Sequence, residues 1–141
     1  HSDLLKQVRR RARAFRPGER PAYEAAPARH AGPSVRVTCR DIEQSNLSLG
    51  IRTCSRHDPR RYALRLLNVV LGENMSSRLF QVIREQHGLT YNIHSSTSFW
   101  DDCGDLVISA GLDTSEVSRT LKLVRQELQK LTEKPPTPAE L

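Results

Sequence analysis

The stretch that decides the fold is LLNVVLGENMSSRLFQVIREQHGLTYNIHSS, residues 66–96. Its apolar residues recur at helical spacing up to Gly72 and again after the following turn, which predicts two consecutive helices. Gly88 is the expected end of the second helix, and the alternation of apolar and polar residues beyond it predicts a strand. So tight a corner places Arg84, near the helix end, beside Tyr91, at the start of the strand.

Upstream of this stretch, the sequence predicts the start of the first helix and two strands. Asp58 is the expected N-cap, because a proline that suits the first turn follows it. Before it, VRVTC (35–39) and NLSLGIRT (46–53) both alternate apolar and polar residues, which predicts two strands. Within the stretch itself, Ser76 or Ser77 is the expected cap of the second helix.

Downstream, the sequence predicts a hairpin followed by a long helix. The segments 89–99 and 104–112 alternate on either side of the turn residues WDDCG. Asp113 is the expected cap of the final helix, whose apolar residues run at helical period to Leu131. Thr137 then opens what resembles the first turn of another helix. We therefore expect the chain to be a fragment of a longer protein, truncated at the C-terminus.

This order of elements defines the expected fold class and domain organisation. Alternating strands with interspersed helices predict an α+β two-layer sandwich, in which a mostly antiparallel sheet carries the helices on one face. Residues 1–15 form an amphipathic helix, and the segment 16–34 is rich in proline and lacks periodicity, which is typical of a linker. Residues 35–141 are the expected folded domain.

Charge and composition narrow the function classes. The net charge of +6 and the pI near 9.7 raise the question of nucleic-acid binding. The basic residues cluster at the N-terminus, and elsewhere they alternate with acids, so nucleic-acid binding is the least favoured class. No apolar run is long enough to cross a bilayer. The chain begins at His1 without Met, so an upstream segment can have been removed, and the compartment stays open between cytoplasm and periplasm.

The histidines and cysteines do not follow a metal-binding pattern. None of the five His belongs to an HExxH or HxxEH sequence, which a catalytic zinc site of this kind needs. His87 is explained as a cation at a helix end, and His94 as a strand side chain. The three Cys are irregularly spaced, which excludes a disulfide framework and a CxxC site. We expect no metal site and no cofactor site in this chain.

Arg84 and Tyr91 are the remaining candidates for chemistry. A guanidinium and a phenol together can hold a carbonyl or a carboxylate, or stabilise an oxyanion, without any metal. The residues alone leave a second interpretation open. In that interpretation Arg84 is a surface cation and Tyr91 is a core ring with its hydroxyl at the rim.

The motif within 66–96 closely resembles the second half of pitrilysin- and insulinase-like (M16) zinc peptidases, which include mitochondrial processing peptidase and its bacterial relatives. The shared features are a helix that ends in a glycine-rich turn, then Met-Ser-Ser-Arg-Leu-Phe, Arg-Glu and Gly-Leu-x-Tyr. The resemblance covers most of 35–133. One departure is Glu73-Asn74, which stands where Gly-Gly is common.

The resemblance implies a role for each part of the chain. Such proteins pair two similar halves or subunits around a chamber; one half binds zinc, and the other carries an Arg and a Tyr, here Arg84 and Tyr91, as catalytic residues. Zn²⁺ is then expected in the longer protein or a partner subunit, and the partners are an unfolded peptide and another M16 half or subunit, as a dimer. By the same resemblance, 1–15 is the last helix of the preceding half, 16–34 the interdomain linker and 35–141 the second-half metallohydrolase-type domain.

Two functions follow from this resemblance. The first is a fragment of a zinc-dependent endopeptidase that supplies the substrate-facing Arg and Tyr but cleaves nothing alone. The alternative is a catalytically inactive M16-like subunit with a binding or assembly role. Nucleic-acid binding through the basic N-terminal helix is a third class, which a steep salt dependence of binding would reveal.

Overall fold

A computed structural model describes residues 1–16, 18–19, 21–27, 32–138 and 140 of the chain. The helices and strands follow one another along the chain in the predicted order, except that one predicted strand is missing from the described residues. In chain order they are α1 (Ser2–Ala12), β1 (Ser45–Thr53), α2 (Arg61–Asn68), a π-helical segment π1 (Val69–Glu73), a second π-helical segment π2 (Phe80–Gln86), β2 (Thr90–Phe99), β3 (Gly104–Leu112), a 3₁₀ turn (Thr114–Glu116) and α3 (Val117–Glu133).

The three strands form one antiparallel sheet in the order β1-β3-β2. Alternate residues of the central strand β3 are buried, which shows that one face of the sheet is covered and the other is open. The core joins this covered face to the helices, and its buried apolar residues are Leu71, Leu79, Ile83, Leu89, Ile93, Leu106, Ile108, Ala110, Leu112 and Val124. The predicted α+β class, with an antiparallel sheet and helices on one face, is confirmed.

The two predicted aspartate caps differ in outcome. The prediction for Asp58 is wrong, because the N-cap of α2 is Arg60, and Asp58 Oδ1 accepts from the backbone N–H of Arg60 at 2.9 Å in the turn before the helix. The prediction for Asp113 is confirmed. The backbone N–H of Ser115 donates to Asp113 Oδ1 at 2.8 Å, at the start of the turn that leads into α3. The Asp113 carboxylate thereby satisfies a backbone donor that the first turn of a helix leaves without a partner.

The predicted strand over 35–39 is wrong. The segment has no regular secondary structure, and the side chains that were to form its apolar face are in solvent, since Val35 is 90% exposed and Val37 is 77% exposed. Cys39 is exposed as well. Alternation produces a strand only where one face packs against other residues, and these valines have no such contact.

The prediction that a serine caps the second helix is wrong too. No side-chain hydrogen bond caps π2, and Asn74 Oδ1 accepts from the backbone N–H of Ser76 at 2.8 Å in the turn before the helix. The Ser77 hydroxyl donates instead to the Asn74 carbonyl, and Ser77 is buried.

Gly72 breaks the helical backbone where the sequence predicts the helix to stop, since its φ of −163° and ψ of 15° are not helical. Gly72 also has a packing role that the sequence does not reveal. A Cβ atom at Gly72 would lie 2.6 Å from Ser95 Oγ and 2.9 Å from the Ser95 backbone nitrogen. The absence of a side chain therefore lets π1 pass directly against β2.

Replacing Gly72 with alanine is expected to destabilise the fold by about 1–3 kcal/mol, because the added methyl forces π1 and β2 apart. Gly50→Ala is a matched control in β1, where an added Cβ would meet nothing within 4 Å. The control should change the free energy of unfolding by less than about 0.5 kcal/mol. Urea denaturation of both variants measures the difference, and equal midpoints would contradict the close contact.

An ion pair connects the helical layer to the end of the chain. Arg78 binds Glu140 through two hydrogen bonds, Nε to Oε1 at 2.6 Å and Nη2 to Oε2 at 3.1 Å. The Glu140 carboxylate also accepts from the backbone N–H and the hydroxyl of Thr137 at 2.8 and 2.9 Å. These bonds, with Arg78 as the largest cause, lower the pKa of Glu140 to about 2.

The Glu140 pair gives a signed pH dependence. Its folded-state pKa lies below the ordinary value of 4.5, so the stabilisation is fully present above that value and is lost as the pH falls towards 2. Glu140→Gln should therefore be less stable than the wild type at pH 7, with the difference shrinking between pH 4.5 and pH 2. Denaturation at a series of pH values tests this, and a difference that does not depend on pH would rule out the ion pair as its cause.

Candidate functional site

An open cleft of about 600 Å³ lies where π2 ends and β2 begins. Arg84 and Tyr91 both line it, so the structure brings the two residues that the sequence singled out into one space. Thr90 and Gly111 belong to the strand side of the cleft, and Asp113 lies at the far end of β3.

The corner between helix and strand depends on Gly88. Its φ of +61° lies in the left-handed region, where glycine carries no steric penalty. Its backbone N–H donates to the carbonyl of Arg84 at 3.0 Å, and the N–H of Leu89 donates to the carbonyl of Ile83 at 3.0 Å. Leu89 is buried directly after the corner. The chain therefore reverses at once, as predicted, and the strand starts beside the helix.

Tyr91 occupies a β-bulge. The pairing of β2 with β3 steps from Thr90 opposite Leu112 to Asn92 opposite Gly111, so Tyr91 has no partner of its own. The Tyr91 residue is 86% exposed. The simple alternation predicted for this strand is therefore wrong at Tyr91, since the extra residue resets the pattern, and the interpretation of Tyr91 as a core ring is excluded.

The hydroxyl of Thr90 holds the bulge together. Thr90 Oγ1 accepts from the backbone N–H of Asn92 at 3.1 Å and lies within hydrogen-bonding distance of the carbonyls of Asn92, at 2.9 Å, and Gly111. Thr90 is only 7% exposed. Sequence reasoning missed this residue, because a threonine in an alternating strand gives no sign that its hydroxyl replaces a backbone partner.

Arg84 is held at the edge of the cleft by an aromatic ring. Its guanidinium carbon lies 4.6 Å from the centre of the Phe80 ring, within the range of a cation–π contact. Its Nε lies 3.6 Å from Glu85 Oε1, which is longer than an ordinary hydrogen bond. The side chain is 40% exposed, so the guanidinium is oriented but still accessible.

The lining of the cleft is predominantly acidic. Glu43, Glu85 and Asp113 contribute carboxylates, and Arg84 is the one cation among its described lining residues. The pKa of Asp113 is lowered because the hydroxyl and the backbone N–H of Ser115 donate to its carboxylate. Asp113 therefore stays ionised down to low pH, and the cleft has a negative potential around a single guanidinium.

The described His, Cys, Asp and Glu side chains do not fit a zinc site. Within the described part of the chain, no three His, Cys, Asp or Glu side chains come together as a metal would need. His87 is exposed at the end of π2, and His94 is exposed on the open face of the sheet. His30 lies outside the described residues. No chemical step is assigned to a metal held by this chain.

The isolated chain is expected to hold no stoichiometric zinc after dialysis, because its described histidines do not lie together with other metal-binding side chains. Metal analysis of the purified protein by mass spectrometry is the measurement. One tightly bound equivalent of zinc per chain would contradict this view of the histidines.

Taken together, the fold and the cleft define an α+β domain that presents an arginine and a tyrosine. The family model for the "Peptidase M16 inactive domain" matches residues 1–141. The chain belongs to the peptidase M16 family.

An uncharacterized zinc protease of Streptomyces coelicolor is 38% identical over 139 residues, which are 94% of this chain and 30% of the relative. The uncharacterized zinc protease YmxG of Bacillus subtilis is 37% identical over 92 residues, 65% of this chain and 22% of the relative.

Solved structures support the same assignment. A peptidase M16 inactive domain from Pseudomonas fluorescens superposes with a TM-score of 0.65 at 31% identity, over 69% of this chain and 24% of that one. The periplasmic protease PqqL from Escherichia coli shares the fold, with a TM-score of 0.67 at 21% identity, over 99% of this chain and 16% of its own. The chain thus spans less than a third of the curated relative from Streptomyces. No helix in the described residues is both long and apolar enough to span a membrane.

Proposed function

We propose that this chain forms the substrate-facing, non-zinc side of a peptidase chamber. The observation that carries the proposal is the bulge that turns Tyr91 out of the core and into the cleft that Arg84 also lines. A tyrosine that is 86% exposed adds little to packing, so its position is better explained by what it meets in that cleft.

In this proposal Tyr91 and Arg84 act on the carbonyl of the scissile peptide bond. The Tyr91 hydroxyl donates a hydrogen bond to the carbonyl oxygen as that oxygen becomes negative, and the Arg84 guanidinium positions the substrate or the same oxygen. The acidic lining of the cleft disfavours a free carboxylate and leaves a neutral peptide carbonyl as the better ligand. Both residues stabilise charge that develops during hydrolysis, and neither supplies the nucleophile.

The remaining chemistry belongs to another half or subunit. We propose that residues 35–141 are the second half of a longer M16 protein, that 16–34 link it to a first half, and that 1–15 are the last helix of that half. No residue of α1 is buried, which is consistent with packing against something outside this domain. Zinc held by the other half, or by a partner subunit of a dimer, would supply the activated water, and in this proposal this chain alone cleaves nothing.

Tyr91→Phe tests the catalytic role. In the longer protein or the complex with its zinc-bearing partner, turnover of an unfolded peptide should fall by about tenfold to a thousandfold, as for loss of one oxyanion donor. Tyr62→Phe is a matched control, since Tyr62 is 60% exposed on α2 and does not line the cleft. Stability should change little in either variant. Unchanged turnover for Tyr91→Phe would remove Tyr91 from the chemistry.

The alternative, an inactive subunit with a binding or assembly role, predicts a different result in the same assay. Peptide cleavage that a zinc chelator abolishes supports the peptidase role. If the longer protein cleaves no peptide, either by itself or with a candidate partner subunit, the peptidase role is overturned in favour of binding or assembly.

A further inference from the structure

We infer that Thr90 is a positioning residue, whose hydroxyl fixes the β-bulge that aims Tyr91 into the cleft. This inference rests on the proposed function of Tyr91. It goes further by identifying the group that sets the position of the phenol, a buried hydroxyl whose recorded hydrogen bonds are all to the backbone of the strands.

The bulge interrupts the regular backbone hydrogen bonding between β2 and β3 at Tyr91. Between the pairs Thr90–Leu112 and Asn92–Gly111, one extra residue stands on β2 with no residue opposite it on β3. Backbone donors and acceptors there need other partners, because buried polar groups without partners are costly.

The Thr90 side chain supplies both kinds of partner. As an acceptor, Oγ1 takes the backbone N–H of Asn92, the residue that follows Tyr91. As a donor, it lies against the carbonyls of Asn92 and Gly111, the second of which belongs to β3. A single hydroxyl therefore ties the residues on both sides of Tyr91 to each other and to the central strand.

Burial makes the hydroxyl difficult to replace. Thr90 is 7% exposed, so water cannot readily take over its hydrogen bonds. Serine keeps a hydroxyl at the same position, whereas valine keeps the shape of threonine but offers no donor or acceptor. Thr90→Ser and Thr90→Val thus separate the role of the hydroxyl from that of packing.

The expected effect appears in turnover. If Thr90 holds Tyr91 in place, Thr90→Val should lower kcat by about tenfold to a hundredfold, as misplacement of a catalytic group does, with a smaller effect on KM. Thr90→Ser should remain close to the wild type. In a Tyr91→Phe background, Thr90→Val should cause little further loss, because the hydroxyl that it positions is already gone.

The experiment is a double-mutant cycle of Thr90→Val and Tyr91→Phe in the longer protein with its zinc-bearing half, with Thr90→Ser alongside. Non-additive losses in kcat and near-normal activity of Thr90→Ser support the inference. If Tyr91→Phe is harmless, the proposed function fails and this inference fails with it. If Tyr91→Phe lowers kcat but Thr90→Val does not, only the positioning role is overturned. The same holds if the two substitutions lower kcat independently, so that the double variant shows the product of the two fold-losses.

A second measurement covers the case in which Thr90→Val does not fold. Hydrogen exchange of the Asn92 amide in the wild-type chain reports the bond to Thr90 Oγ1 directly. Slow exchange that is retained in Thr90→Ser supports the inference. An Asn92 amide that exchanges as fast in the wild type as in an unfolded peptide would overturn it.

Discussion

The backbone reversal between π2 and β2 is the constraint on which the candidate site depends. Gly88 takes a left-handed conformation, and Leu89 is buried immediately after it, so β2 must begin directly beside the end of π2. The bulge at Tyr91 then turns one side chain outward within the first residues of the strand. Without the corner, Arg84 and Tyr91 would be far apart. Without the bulge, regular alternation along β2 would place the Tyr91 side chain on the covered face of the sheet.

The helical layer keeps this corner in place from behind. Gly72 allows π1 to pass against Ser95 of β2, and the bidentate contact of Arg78 with Glu140 joins the start of the second helix to the segment after α3. None of the residues in these two contacts lines the cleft.

The sequence was a good guide where one local signal dominated. Gly88 and Asp113 each mark a boundary through a conformation or a side chain that few other residues provide, and both act as predicted. The hairpin strands were also predicted to within a residue, because β3 alternates strictly and one of its faces is buried.

The prediction failed where tertiary contacts decide the outcome. The valines of 35–39 alternate as a strand does, but no surface covers them. The exposure of Tyr91 depends on one unpaired residue in the ladder, which only the register with β3 reveals. The role of the Thr90 hydroxyl also depends on this register, and the sequence alone does not distinguish Thr90 from any other strand threonine. For the candidate site, sequence identified Arg84 and Tyr91, and the structure added the residues that orient them.

The most direct test of the account is whether a substrate peptide touches the cleft. A photoreactive phenylalanine analogue placed at position 91, with position 62 as the control, can be irradiated with an unfolded peptide in the assembled protein. The account predicts that the peptide crosslinks at position 91 and not at position 62. Equal crosslinking at the two positions, or none at position 91 when the peptide is bound to the assembled protein, would contradict the claim that this cleft faces the substrate.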